Sequence, residues 1–259
     1  MGKNVSAISL AQRLHEQELF YFTPHLIADL LAVEVPAAYR LVARLKQMGL
    51  IAQVERGKYL LLGLQPEHVL ANPLFIASQL VTPAYVSYWS ALHFYGFTEQ
   101  APRTVFAATT RRQRPVAFHG FDFRFVTVRP HKFFGYRREQ VGDLPVLIAD
   151  EAKVIIDSLD QLRYAGGIVE VAGALRKALE EVDASTLVEY ARQMHDRSLA
   201  SRLGYLLTLS GRAQAAEALP VSASPIKLDP TRPAAGQRVS RWHLMVNVPE
   251  GDLFSPGVG

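Results

Sequence analysis

Three residues in the middle of the chain have the types needed for metal-assisted hydrolysis. Asp122 lies in a strand-like run, and the strand-like run 146–149 leads through Asp150 into Glu151-Ala152-Lys153. An acid followed later by Glu-x-Lys resembles a metal-dependent nuclease motif, in which carboxylates hold Mg²⁺ and the lysine supports the attacking water. The pattern is short, and Glu151 also sits where a helix begins, a position at which the macrodipole favours an acid without any chemistry. Ser90 and His93 share one face of a helical stretch, but no acid accompanies them, so they are not read as a nucleophile site. The sequence has no phosphate-binding Gly-x-x-x-x-Gly-Lys loop, no Gly-x-Ser-x-Gly elbow and no His-Glu-x-x-His helix. Its 8 histidines are scattered and cysteine is absent, so no metal, no cofactor and no enzymatic role are expected.

A second set of residues has the spacing of a nucleic-acid contact. Over residues 35–48, Ala37, Arg40, Arg44 and Gln47 recur at helical spacing on one face. Ala38, Leu41, Val42, Leu45 and Met48 form the apolar stripe opposite. Arginine and glutamine on an exposed helix can reach base edges or phosphates in a major groove, with Tyr39 and Lys46 flanking them. Just downstream, Arg56 and Lys58 surround Gly57 between two β-like runs, where a hairpin tip would lie against a DNA backbone. The plainer reading is that these cations solvate an ordinary helix face.

The elements around these residues favour the DNA reading. A helix over 5–16 comes first, and Thr23-Pro24 then starts a short helix by a side-chain cap and a proline at its first turn. Val35-Pro36 opens the third helix, which Gly49 is placed to end. Three helices followed by a hairpin with a basic tip is the order of a winged helix-turn-helix. A winged helix can also bind protein. Beyond it, 84–97 reads as one aromatic-rich helix with its rings in the core. Strand-like runs follow at 104–109, 121–128 and 146–149. Asp150 is placed to cap a helix through Leu162, and two amphipathic helices follow over 169–194. From Leu219 the chain reads as an extended arm with one strand near 241–248, and residues 251–259 read as a flexible tail.

Composition narrows the classes further. A chain of 259 residues with 49% apolar content excludes disorder, and no apolar run is long enough for a membrane helix. The start is charged and periodic, unlike a signal peptide, so a cytoplasmic location is expected. The net charge of +4 is unevenly spread: residues 1–68 carry +1, 69–145 carry +5 and 146–259 carry −2. The basic excess centres on Arg111, Arg112 and Arg114, then on Arg129, Lys132, Arg137 and Arg138. Such side chains suit phosphate or an acidic partner, or they are simply solvated.

From about residue 8 to about 248, the chain resembles the AbiEi-type antitoxins of abortive-infection, type IV toxin–antitoxin systems. The resemblance is carried by Gly49-Leu50-Ile51 with Arg56-Gly57-Lys58-Tyr59, and by Tyr85-Val86-Ser87 with Ser90-Ala91-Leu92. It continues in Thr98-Glu99-Gln100-Ala101-Pro102, Ala149-Asp150-Glu151-Ala152-Lys153 with Asp157, and Tyr164-Ala165-Gly166-Gly167-Ile168. Arg202-Leu203-Gly204-Tyr205-Leu206, Trp242 and Asn247 complete it. The family tends to place Glu and Lys side by side, whereas Ala152 separates Glu151 from Lys153 here, which leaves the role of that pair open. The resemblance implies an N-terminal winged helix that binds double-stranded operator DNA and represses its own operon; self-association on that DNA is a separate option that the sequence leaves open. It implies a larger C-terminal domain that counteracts a cognate nucleotidyltransferase-like toxin, a functional partner that need not form a tight complex.

The expectation is therefore an α+β chain. It comprises an N-terminal winged helix-turn-helix (1–68), a larger mixed α/β antitoxin domain (69–250) and a tail (251–259). The function expected is that of a DNA-binding autorepressor and antitoxin in phage defence. The alternatives are a stand-alone winged-helix regulator and a nuclease using Asp122, Glu151 and Lys153.

Overall fold

The first helix pair is set by its ends. In the computed structural model, which describes residues 6–254, the Ser6 and Thr23 hydroxyls accept hydrogen bonds from the amides of Ser9 and Leu26 and start helices α1 (Ala7–Glu16) and α2 (Pro24–Leu31). Each such cap is worth about 1 kcal/mol. Ala32, in the left-handed region, turns the chain into α3 (Val35–Gln47), and Gly49 (φ +72°) ends it. The hairpin β2 (Ile51–Glu55) and β3 (Lys58–Leu61) turns through Gly57 at φ +73°. A short strand that sequence did not suggest, β1 (Tyr21–Phe22), pairs with β3 and gives a three-stranded sheet in the order β1-β3-β2. Ala38, Val42 and Leu45 are buried beneath α3. Met48, expected in that stripe, is 49% exposed because it follows the last helical turn, and Leu41 is only half-buried. Val5 and residues 255–259 lie outside the described residues.

Two short helices, α4 (Pro66–Leu70) and α5 (Pro73–Gln79), lead into a six-stranded mixed sheet. Its strands are β4 (Ala84–Val86), β5 (Thr104–Thr109), β6 (Val116–Phe118), β7 (Phe121–Thr127), β8 (Tyr136–Val141) and β9 (Leu144–Ala149), in the order β6-β7-β5-β4-β9-β8. β5 and β7 are parallel, as are β4 and β9; the remaining pairs are antiparallel. The stretch expected as one aromatic helix is divided. Ala84–Val86 forms a fully buried strand in mid-sheet, and only α6 (Tyr88–Phe94) is helical. A strand buried on both faces has no polar alternation, so its residues read like those of a buried helix. Tyr85 and Tyr88 are fully buried, as core aromatics should be.

The C-terminal half is helical. Asp150 caps α7 (Glu151–Asp160), accepting the Lys153 amide at 2.7 Å, and α8 (Ile168–Ala178), α9 (Ala184–Gln193) and α10 (Arg197–Leu209) follow. After α11 (Ala213–Ala216) the arm returns three short strands, not one. β10 (Ile226–Lys227), β11 (Gln237–Val239) and β12 (Leu244–Val246) form their own sheet in the order β10-β12-β11. Trp242 packs over α10 where Gly204 has no side chain; a β-carbon there would overlap the indole. The expected tail is corrected over its first four residues. They belong to α12 (Glu250–Phe254), in which Leu253 is buried and Glu250 accepts from the Tyr205 hydroxyl at 2.8 Å. The chain is α+β, with one buried apolar cluster running from Ala7 to Leu253.

Candidate nucleic-acid interface

The outer face of α3 carries the residues that its periodicity selects. Tyr39, Arg40, Arg44, Lys46 and Gln47 are exposed and Ala37 is half-buried. Among the described residues, neither Arg40 nor Arg44 has an ion-pair partner. Lys46 donates to the Gln53 side chain of β2 at 3.2 Å, which ties the helix to the hairpin. At the hairpin tip Arg56 is exposed and has no ion-pair partner among the described residues, whereas Lys58 is held by Glu55 at 3.0 Å. The Tyr21 hydroxyl donates to the same carboxylate at 2.9 Å. Burial pushes the Glu55 carboxyl up, but Lys58 and Tyr21 outweigh it and hold it below the usual range. Lys58 is thus partly neutralised, and Arg56 is the open charge of the tip.

The second basic group is not one surface. Lys132 is largely buried between Asp160 (2.5 Å) and Asp196 (3.3 Å). Arg137 grips both oxygens of Glu151, at 2.8 and 2.6 Å, also contacts Glu139, and lies over the Tyr95 ring. Arg138 makes a two-pronged pair with Glu18, at 2.9 and 2.5 Å. Arg137 and Arg138 lie on β8, an edge strand whose polar composition reads like a loop. Arg111, Arg112 and Arg114 are exposed and have no acidic partner among the described residues; Arg103, Arg124 and Arg129 share that state. Arg103 and Arg124 were missed in the sequence, although Arg124 occupies an outward position of the alternating strand β7.

The nuclease-like residues are not brought together. Asp122 starts β7 and Glu151 follows β9, with β5 and β4 between those strands, so about 14 Å of sheet separates them. Glu151 is occupied by Arg137. Lys153 is fully buried, where it pairs with Asp157 one turn later on α7. The Tyr85 and Ser87 hydroxyls donate to the same Asp157 carboxylate at 3.0 and 2.8 Å, and the Lys153 ammonium lies 4.8 Å from the Phe134 ring centre. Glu151 and Lys153 thus engage different partners, Arg137 on β8 and Asp157 on α7. Among the described residues no group of three or more acids and histidines could hold a metal ion, and no helix is long and apolar enough to cross a membrane.

No protein-family model matches the chain, and no curated protein does. Among solved structures it is similar to the crystal structure of the RV2827C protein from Mycobacterium tuberculosis. The TM-score is 0.53 and the identity 13%, over 91% of this chain and 89% of that one. At that identity the likeness is one of fold across nearly the whole chain.

Proposed function

We propose that the chain is a DNA-binding transcriptional autorepressor and the antitoxin of an AbiEi-type, type IV toxin–antitoxin pair. Residues 1–68 act as a winged helix-turn-helix and residues 69–250 as the unit that counteracts a nucleotidyltransferase-like toxin. The observation that supports this most is the state of α3: Arg40 and Arg44 are exposed and have no ion-pair partner among the described residues, beside a hairpin whose tip presents Arg56. Open arginines on one helix face are available to phosphate and to guanine edges. The antitoxin half rests on the sequence resemblance.

The test is binding to the DNA upstream of the chain's own gene across a salt series. Arg40→Ala with Arg44→Ala is expected to lower the slope of log affinity against log salt by about 2, at roughly 0.9 per phosphate contact. An unchanged slope removes α3 from the interface. For the antitoxin half, co-expression with a neighbouring nucleotidyltransferase-like toxin should restore growth, and continued growth arrest refutes it.

A further inference from the structure

We propose that the cavity between α1, the end of α3, α4 and the β8–β9 turn binds a small amphipathic cation, an amine carried on an apolar body. The inference is independent of the DNA-binding reading above. Its basis is where the exposed apolar side chains fall. Among the described residues the three most exposed large apolar side chains are Leu64 (91%), Ile8 (54%) and Met48 (49%), and all three line this one cavity. Exposed apolar residues scattered singly are ordinary, whereas a group of them around a hollow marks a binding surface. The cavity has a volume of about 460 Å³, within the roughly 300–1,000 Å³ of small-molecule sites.

Local sequence builds this hollow. Ala7, Leu10 and Leu14 turn one face of α1 into the core. Ile8, Ala11, Gln12 and His15 follow at i, i+3, i+4 and i+7 and give the helix a second face, toward the cavity. Phe20, Leu61 and Leu144 are buried at lining positions and supply an apolar floor, with the Phe20 ring meeting that of His15 edge-on at 5.6 Å. Gly63, at φ +67°, turns the chain out of β3 and leaves Leu64 standing at the rim. A further wall is closed where the His68 imidazole of α4 pairs with the Asp143 carboxylate of the β8–β9 turn.

The charge of the lining selects the ligand. Glu16 and Asp143 line the cavity, and no lysine or arginine does. Glu16 has no ion-pair partner among the described residues, and the partner of Asp143 is an imidazole, not a permanent cation. Two carboxylates beside an apolar surface repel a fatty acid or a phosphate and attract an ammonium group. The apolar floor takes the body of the same molecule, since a fully polar cation would leave Leu64, Ile8 and Met48 in water. A second copy of the chain fits less well. A stable association buries about 800 Å² per partner, and three rim side chains supply only part of that.

The test is isothermal titration calorimetry of the full chain at neutral pH with n-octylamine hydrochloride, using 1-octanol and sodium octanoate as neutral and anionic probes with the same tail. Saturable octylamine binding is expected, tighter than that of octanoate and about fourfold tighter per methylene than that of n-hexylamine. E16Q/D143N should weaken octylamine by about threefold to tenfold and leave octanol unchanged. A11F, which fills the cavity, should abolish binding of both. L64Q alters a side chain that is almost wholly in solvent, so it should keep the thermal midpoint and weaken both probes by about threefold or more. The proposal is overturned if octylamine shows no saturable binding, or if octanoate binds as tightly. It is equally overturned if octylamine affinity is unchanged in E16Q/D143N, in L64Q or in a folded A11F. A dimer in sedimentation equilibrium that L64Q dissociates, with no octylamine binding, assigns the face to a second copy and makes the proposal wrong. If A11F unfolds, L64Q and E16Q/D143N carry the decision.

Discussion

Lys153 and Asp157 stand one turn apart on α7 and form an ion pair closed to solvent, with 0% and 1% of their side chains exposed. The carboxylate is completed by the Tyr85 hydroxyl of β4 and the Ser87 hydroxyl that follows it, so one buried acid fastens the central strand to the helix behind it. Burial pushes the Asp157 carboxyl above its ordinary range, against the pull of Lys153, Ser87 and Tyr85.

Breaking this pair from one side should be severe. Lys153→Met leaves an unpaired buried carboxylate and is expected to cost about 3–5 kcal/mol in denaturant unfolding. Lys153→Met combined with Asp157→Leu should cost less than the two single changes added together, since neither charge is then stranded. Additive single effects would show that the residues do not act as a pair.

Acid should act through Asp196. Burial pushes its carboxyl up, but the Leu199 amide, the Lys132 ammonium and the Ser198 amide prevail and hold it below the usual carboxylate range. A depressed folded value means that its stabilisation is complete above the unfolded value of about 3.9 and is lost as pH falls through the lower folded value. Asp196→Asn keeps a capping acceptor but no charge. The stability difference between wild type and this variant should therefore be constant near neutrality and close below about pH 4. A difference that is independent of pH in that window would contradict the assignment.

Gly204 should tolerate no side chain. Alanine there meets the Trp242 ring, and such overpacking typically costs about 1–3 kcal/mol. Thermal unfolding should show the loss, and Trp242→Leu in the Gly204→Ala background should recover part of it. No change in the single variant would mean that the arm shifts without cost.

At the hairpin, Arg56→Ala should weaken DNA binding more than Lys58→Ala, because Glu55 already holds Lys58. Competition binding at low salt measures both, and the reverse order would place the duplex on the other side of the turn.

Much of the N-terminal fold is legible because its signals are local. Thr23-Pro24, Gly49 and Gly57 each act within a few residues, and so does Asp150 further along. What the sequence hides is set over long distances. Whether Arg138 is an open cation depends on Glu18, 120 residues earlier, and Lys132 depends on Asp160 and Asp196. Charge counting therefore groups seven cations that the fold divides into two classes. Tyr85-Val86 read as helix because a strand enclosed on both faces shows no alternation. Glu151 and Lys153 looked like one motif because their neighbourhood in the chain conceals that they point to different partners.

The central strand has a consequence for synthesis. β4 is joined on one side by β5, which follows closely, and on the other by β9, where Val86 meets Ile148. The caps and turns of the first sixty residues can form as that segment leaves the ribosome. β4, in contrast, waits for about sixty further residues, several seconds at about 5–20 residues per second. Through that interval one edge of β4 has no partner strand, and such an unpaired apolar edge is prone to aggregation.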